Sequence, residues 1–221
     1  MFFKNNKKAM FKKSYSQSGE DMIIDFLFEV HGVKNPTYID IGAHDPYYLS
    51  NTAFFYEKGC RGINIEPNPV LYKNIREVRK EDINLNVGIG KKEGKLNFYI
   101  MNNPTMSTFS REQADELVHK HGFLIEQELN VDVSTVNTVL NTYNNGVFPD
   151  FLSLDVEGVD LVILQSIDFS KSYPKVICVE TMEYTENLSG NKESEIIDFL
   201  KEKGYRIIAD TFINTIFERW N

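Results

Sequence analysis

Residues 38–66 read YIDIGAHDPYYLSNTAFFYEKGCRGINIE: a strand, a turn carrying one glycine, a short helix, and a second strand closed by Glu66. Tyr38–Ile41 and Gly62–Ile65 are apolar runs of strand length, and Gly59 stops the helical segment between them. A strand–helix–strand unit joins parallel neighbours, and ligands of such sheets lie beyond the carboxyl ends of the strands. The turn GAHDP has Gly42 alone, then His44, Asp45 and Pro46, with bulky Tyr47 and Tyr48 beyond. A pyrophosphate needs several glycines so that backbone amides can close on it. This turn does not offer them, so a nucleoside without phosphates is the expected guest.

The 221 residues suit one α/β unit with a full core. Hydrophobic residues make up 42% and charged residues 25%, as in ordinary soluble globules. A net charge of −8 argues against a chain whose main business is holding nucleic acid. Residues 1–13 (MFFKNNKKAMFKK) hold five lysines and no acid, so −8 for the whole leaves −13 on the rest. This basic leader reads as a flexible, solvated terminus, with weak peripheral contact to an anionic membrane as the alternative. It lacks the apolar core of a signal peptide, and no run approaches the length of a membrane span. Cys60 and Cys178 lie in apolar or strand-like sequence without metal-type spacing, which points to a reducing cytoplasm. The Lys/Asn/Ile-rich composition suits an AT-rich bacterial source.

Outward from the central stretch, Ser18 with Asp21 forms a capping-box start, and Met22, Ile23, Phe26, Leu27 and Val30 make one helical stripe ended by Gly32. The helix inside the central stretch runs from about Ser50 to Lys58 with Ser50 as its cap. Asn68–Pro69 opens another helix with proline at its first position. INLNVGI, near 83–89, reads as the third strand, and 95–101 alternates like a further one. Residues 102–130 are polar, with a helix in SREQADELVHKHG; VDVSTVNTVLNTY then reads as strand into helix. FLSLDVEG and KVICVETM are buried strands ending in acids, with the helix LVILQSI between them. ESEIIDFLKEKGY is an amphipathic helix, and RIIADTF and NTIFERW close the chain as a strand pair with too short a link to stay parallel. The expectation is an α/β fold: a mostly parallel sheet with one antiparallel strand and helices on both faces. Residues 1–13 would be the leader, and 14–221 a single domain with a substrate-side insertion near 95–130.

Four strand ends supply polar groups: Asp40, Gly42 and His44; Glu66; Asp155 and Glu157; Glu180 and Glu183. Glu66 can accept both hydroxyls of a ribose through charge-assisted hydrogen bonds. S-adenosylmethionine is the common nucleoside guest without phosphates. Gly42 permits close backbone approach, and Asp40 is expected to brace the next loop through its amides while bordering the cofactor. His44 is a candidate to orient a carboxylate or act as a base. Ser50, Asn51 and Thr52 open a helix aimed at the same place, and Val87 of the third-strand run is counted with the cofactor-binding residues. Asp155 and Glu157 are two apart, hence on one side if the strand persists. With Glu180 they could take a proton from a hydroxyl, or hold a divalent metal such as Mg or Mn; the alternative is that they hold the cofactor's ammonium or a loop amide, and Asp155 is counted with the cofactor-binding residues as well. His119 and His121 have the wrong spacing for a helical metal pair and are expected at the surface. Met106–Ser110 (MSTFS) is a lid or acceptor-pocket candidate.

At these residues the chain resembles the FkbM-type family of S-adenosylmethionine-dependent methyltransferases. The resemblance runs through SQSGED at 16–21, YIDIGAHDPYYLSNT at 38–52, GINIEPNP at 62–69, the R-x-x-D-x-N-x-N run from Arg79 to Asn86, and SLDVEG at 153–158. Several blocks in order are far more specific than any one of them. The resemblance implies a Rossmann-like class I methyltransferase with a seven-stranded sheet, and O-methylation of a sugar hydroxyl, nucleotide-linked or in a surface glycan, or of a secondary metabolite. By this route alone Gln17 joins the cofactor-binding candidates. An NAD-dependent nucleotide-sugar enzyme is the rival, but it would want G-x-G-x-x-G and a Tyr-x-x-x-Lys pair, and no tyrosine here has lysine four residues on. A non-catalytic partner subunit is a weaker rival. Nothing in the residues indicates the oligomeric state.

Overall fold

Strands buried on both faces belong in the middle of a sheet, and the burial pattern orders this one. A computed structural model describes residues 12–182, 185 and 190–220; most of the leader and Glu183 lie outside the described residues. Wholly buried β1 (Tyr38–Ile41) sits between β2 (Gly62–Ile65) and the equally buried β7 (Phe151–Leu154). Beyond β2 lies β3 (Ile83–Leu85), and beyond β7 come β8 (Val176–Glu180), β10 (Asn214–Glu218) and β9 (Arg206–Asp210). All neighbours from β3 to β8 are parallel, and β10 runs antiparallel to both β8 and β9. The seven-stranded, mostly parallel sheet with its antiparallel member matches the expectation.

Alternation along the strands builds two cores. Ile39, Ile41, Ile63, Ile65, Leu152 and Leu154 face α5 (Val136–Tyr143), α6 (Asp160–Ser166) and α7 (Ser194–Glu202). Tyr38, Phe151, Val176, Cys178 and Ile216 face α1 (Glu20–Val30) and α2 (Ala53–Glu57) on the other side. Asn68 caps α3 (Pro69–Val78) by accepting from the Val70 amide, as the Asn-Pro start predicts.

A second sheet, in the order β4 (Gly88–Ile89), β6 (Ile125–Ser134), β5 (Gly94–Met101), carries α4 (Arg111–His121). Two expectations change here. The run 83–89 is two strands in different sheets: Asn86 donates from its side chain to the carbonyls of Glu66 and Pro67 and breaks the ladder between them. The strand expected at 131 begins at Ile125, because it pairs antiparallel along the whole length of β5.

α1 also departs from expectation. Gly19 is its N-cap and no side chain caps it, because Asp21 accepts from Ser14, Ser16 and the Tyr15 amide instead. Phe26 and Val30 are 60% and 62% exposed, while Ile24, Leu27 and Phe28 are buried together with Glu20, Asp21 and Asp25. The acids go inside because each has partners there: Asp25 takes Lys12 and Lys58, and Glu20 takes Thr211 and Asn214. α2 is shorter than expected, with Ser50 accepting from the Ala53 amide.

The R-x-x-D-x-N-x-N run is a buried polar network. Arg79, 0% exposed, donates to Asp82 at 2.9 Å, Thr52 at 2.9 Å and Tyr38 at 2.8 Å. Tyr38 and Asn64 donate to Asp82, and Asn84 donates to the Arg79 and Asp82 carbonyls. Removing the cation would leave Asp82 charged in the interior. Arg79→Ala is expected to cost about 3–5 kcal/mol in urea denaturation; a loss below about 1 kcal/mol would mean that the network does not support the fold.

Candidate active site

The carboxyl ends of β1, β2, β7 and β8 open into one cavity of about 330 Å³. Gln17, Asp40, Gly42, His44, Ser50, Asn51, Glu66, Asp155, Glu157 and Glu180 all line it. Thr52 and Val87 do not. Thr52 is buried and donates to Asp40 at 2.6 Å while accepting from Arg79, so its hydroxyl is used inside the fold. Val87 packs on the core between β3 and β4.

The turn after β1 is set by backbone crowding. Gly42 has φ 87°, and a Cβ there would stand 1.8 Å from the Asp155 carbonyl oxygen. The glycine thus answers the approach of the β7 loop, whose Asp155 amide donates to the Ile41 carbonyl. Two residues on, the His44 amide donates to Glu66 at 2.9 Å, and the Asn68 amide donates to the other Glu66 oxygen at 2.7 Å. The Glu66 carboxylate is thereby fixed, with lone pairs left over for a ligand. Asp40 braces the next loop through the Thr52 hydroxyl rather than through amides. Asp45 accepts from the Tyr47 and Tyr48 amides and shapes the turn.

His44, Leu49 and Glu157 hold φ of 52°, 57° and 52° in loops that border the cavity. Such backbone is costly for residues with a Cβ and collects where function requires it. β7 ends at Leu154, so Asp155 and Glu157 do not share a strand face. The left-handed Glu157 nonetheless brings one oxygen each of Asp155, Glu157 and Glu180 within 4.8 Å of one another.

Crowding of like charges governs the acids. Burial pushes Glu66 up to about 7, against the two amides that favour its charged form. Burial and then Asp40 push Asp155 up to about 6. Asp155 is ringed by protein but open to water through the cavity, so that push grows when a ligand closes the site. Burial, Asp155 and other neighbouring acids raise Glu157 and Glu180. Asp160, which the sequence reading passed over, is buried, accepts from the Val156 amide at 3.2 Å, and is pushed to about 8 by burial and Asp155. Its signal was an acid in the first turn of α6, indistinguishable locally from ordinary helix-dipole compensation. Burial lowers His44, whose Nδ1 has no protein partner.

The far wall comes from the second sheet. Phe98, Asn103, Thr105, Met106, Ser107 and Phe109 line it. Thr108 is buried and donates to the Glu157 carbonyl at 2.7 Å, and Gln113 reaches the Glu157 carboxylate at 3.4 Å. Of the run 106–110, Met106, Ser107 and Phe109 therefore reach the cavity, while Thr108 and Ser110 do structural work. Ser153, Thr185 and Asn214 also line the cavity, and no sequence signal singled them out.

A seven-stranded sheet with a cavity of this kind at its strand ends defines a class I, S-adenosylmethionine-dependent methyltransferase. The chain belongs to the family described as the methyltransferase FkbM domain, which matches residues 40–207. The NAD-dependent and non-catalytic readings are set aside. Among solved structures, the chain is similar to precorrin-6y C5,15-methyltransferase from Geobacter metallireducens, at 11% identity and TM-score 0.46, covering 98% of this chain and 96% of that one. It is similar to an O-methyltransferase from Bacillus cereus in complex with S-adenosylhomocysteine, at 12% identity and TM-score 0.44, covering 93% and 83%. A third is 1,6-didemethyltoxoflavin-N1-methyltransferase from Burkholderia thailandensis, at 9% identity and TM-score 0.43, covering 91% and 77%. No curated protein matches significantly.

Because folding raises Glu66 and Asp160 above their ordinary values, the folded chain holds more protons than the unfolded one between about pH 4 and pH 8. Their contribution to stability is full below that window and is lost as pH rises through it. For Glu66 the loss is on the order of 3 kcal/mol. Glu66→Gln should therefore flatten the fall of Tm between pH 5 and pH 8 relative to the parent chain. Parallel slopes in calorimetry would refute the shift.

Proposed function

We propose that this methyltransferase acts on a hydroxyl of a sugar, with a secondary-metabolite hydroxyl as the second reading. The observation that carries the proposal is the fixed Glu66 carboxylate at one end of a cavity whose other end holds Asp155, Glu157 and Glu180. In this reading Glu66 accepts the ribose hydroxyls of S-adenosylmethionine, with Asp40 and Gly42 beside it. Gln17, His44, Ser50 and Asn51 hold its amino-acid end. The acceptor lies against the wall from Phe98 to Phe109, and residues 14–221 act as one unit with 95–130 as its substrate side.

A sugar hydroxyl is a poor nucleophile at neutral pH and must lose its proton during attack. In this reading Asp155, pushed up to about 6 by burial and Asp40, takes that proton, with the Glu157 and Glu180 carboxyls, raised by burial and by Asp155, beside it. The hydroxyl oxygen then bonds to the methyl carbon in line with the departing sulfur, and alignment supplies much of the acceleration. The three carboxylates are also hard oxygen donors within reach of one divalent ion such as Mg or Mn, which would lower the hydroxyl's pKa. Two buried, free cysteines suit a reducing cytoplasm. No helix among the described residues is long and apolar enough to cross a membrane.

With labelled methyl donor and a panel of sugars, run with and without chelator, Asp155→Ala should lose at least about 100-fold in turnover while its affinity for S-adenosylhomocysteine stays within about threefold. Loss of that affinity would reverse the split of roles. Glu66 must be ionised to accept both ribose hydroxyls. Affinity for S-adenosylhomocysteine should therefore fall below pH 7, by up to about tenfold per pH unit, when titrated calorimetrically. A Glu66→Gln variant that keeps the same affinity and pH dependence would remove Glu66 from the ribose.

A further inference from the structure

We propose that the hydroxyl is presented by a phosphate-free acceptor, a neutral glycoside or polyol, and not by a nucleotide-linked sugar. This narrows the proposed function and rests on its assignment of the cavity. Asp40, Glu66, Asp155, Glu157 and Glu180 line the cavity, and no lysine or arginine does among the described residues. Diphosphates are bound by arginine forks, by lysines, or by helix amides over glycines. Among the described residues lining the cavity there is no lysine and no arginine fork, and the turn after β1 has Gly42 alone. The cationic neighbour Lys192, paired with Met182 in an isolated bridge, gives its ammonium to Asp210, Thr181 and the Phe212 carbonyl.

Several backbone amides of cavity-lining residues are taken by the chain's own oxygens: those of Gly42 and Ala43 by the Ile65 carbonyl, that of His44 by Glu66 and that of Ser50 by the Tyr15 carbonyl. Ser50 accepts from the Ala53 amide at the start of α2, and Asp160 from the Val156 amide ahead of α6. Bound S-adenosylmethionine brings a net single positive charge, too little to turn a five-acid cavity into an anion site. A diphosphate placed there would also drive the already raised carboxyls further up.

The wall that remains suits a neutral ring. Phe98 and Phe109 lie 4.7 Å apart between centroids, and a Cβ on Gly88 would strike the Phe109 ring at 2.4 Å, so that ring is backed by main chain. Asn103, Thr105 and Ser107 stand beside them with uncharged donors and acceptors. Apolar ring faces with neutral hydrogen-bonding groups match the two surfaces of an unphosphorylated sugar.

The test is calorimetric titration of the full chain, so that Lys4, Lys7 and Lys8 are present, loaded with S-adenosylhomocysteine. The titrants are UDP and inorganic pyrophosphate, each in EDTA and again in Mg²⁺. The expected result is no binding tighter than about 1 mM in either buffer. A tighter Kd for either probe, including one seen only with Mg²⁺, overturns the proposal. Titrating the unloaded chain with S-adenosylhomocysteine keeps the two readings apart: failure to bind it counts against the cofactor assignment, whereas UDP binding to the loaded chain counts against the acceptor class.

Discussion

The Arg79 guanidinium, buried beneath the sheet's central strands, is the interaction on which the rest depends. It faces Asp82, the Tyr38 hydroxyl and the Thr52 hydroxyl, and through Thr52 it is felt by Asp40 at the floor of the cavity. One cation thus ties β1, the start of α2 and the end of α3 into a unit. A charge in that position is tolerable only because its donors are met by oxygens in good geometry. The same network accounts for Arg79, Asp82 and Asn84 of the R-x-x-D-x-N-x-N run, and Asn86 completes it by holding the Glu66 carbonyl.

Above that floor the balance reverses. Asp155, Glu157, Asp160 and Glu180 crowd together without a matching cation among the described residues, and each is pushed above the ordinary carboxylate range. Such a cluster opposes folding at neutral pH and stores readiness to exchange protons. The well-neutralised network below is what lets the molecule carry an unneutralised one above. Positive φ at His44, Leu49 and Glu157 belongs to the same pattern, with strain gathered around the cavity.

The second sheet meets this frame at few points. Thr108 and Gln113 both bond Glu157, and Gly158 leaves room for the Gln113 side chain, where a Cβ would stand 2.3 Å from its oxygen. The far wall of the cavity is therefore registered to the acids directly. A shift of the 103–110 segment would move the wall and Glu157 together.

Local chemistry was enough to determine the α3 start at Asn68–Pro69, the strands Tyr38–Ile41 and Gly62–Ile65, and the placing of Glu66 and Asp155 at strand ends, because each follows from short-range periodicity or a fixed backbone preference. The antiparallel closing pair was legible for the same reason: its link is too short for anything else. Tertiary structure alone decided which polar groups face the cavity. Thr52 and Asn51 are adjacent, yet one is spent on Asp40 and Arg79 and the other lines the site. It also decided that α1 buries three acids and exposes Phe26, and that 83–89 divides between two sheets. The need for glycine at Gly42 comes from the Asp155 carbonyl, more than a hundred residues away in the chain. A side chain's partners lie at distant positions, so its burial and its charge are settled only when those positions meet.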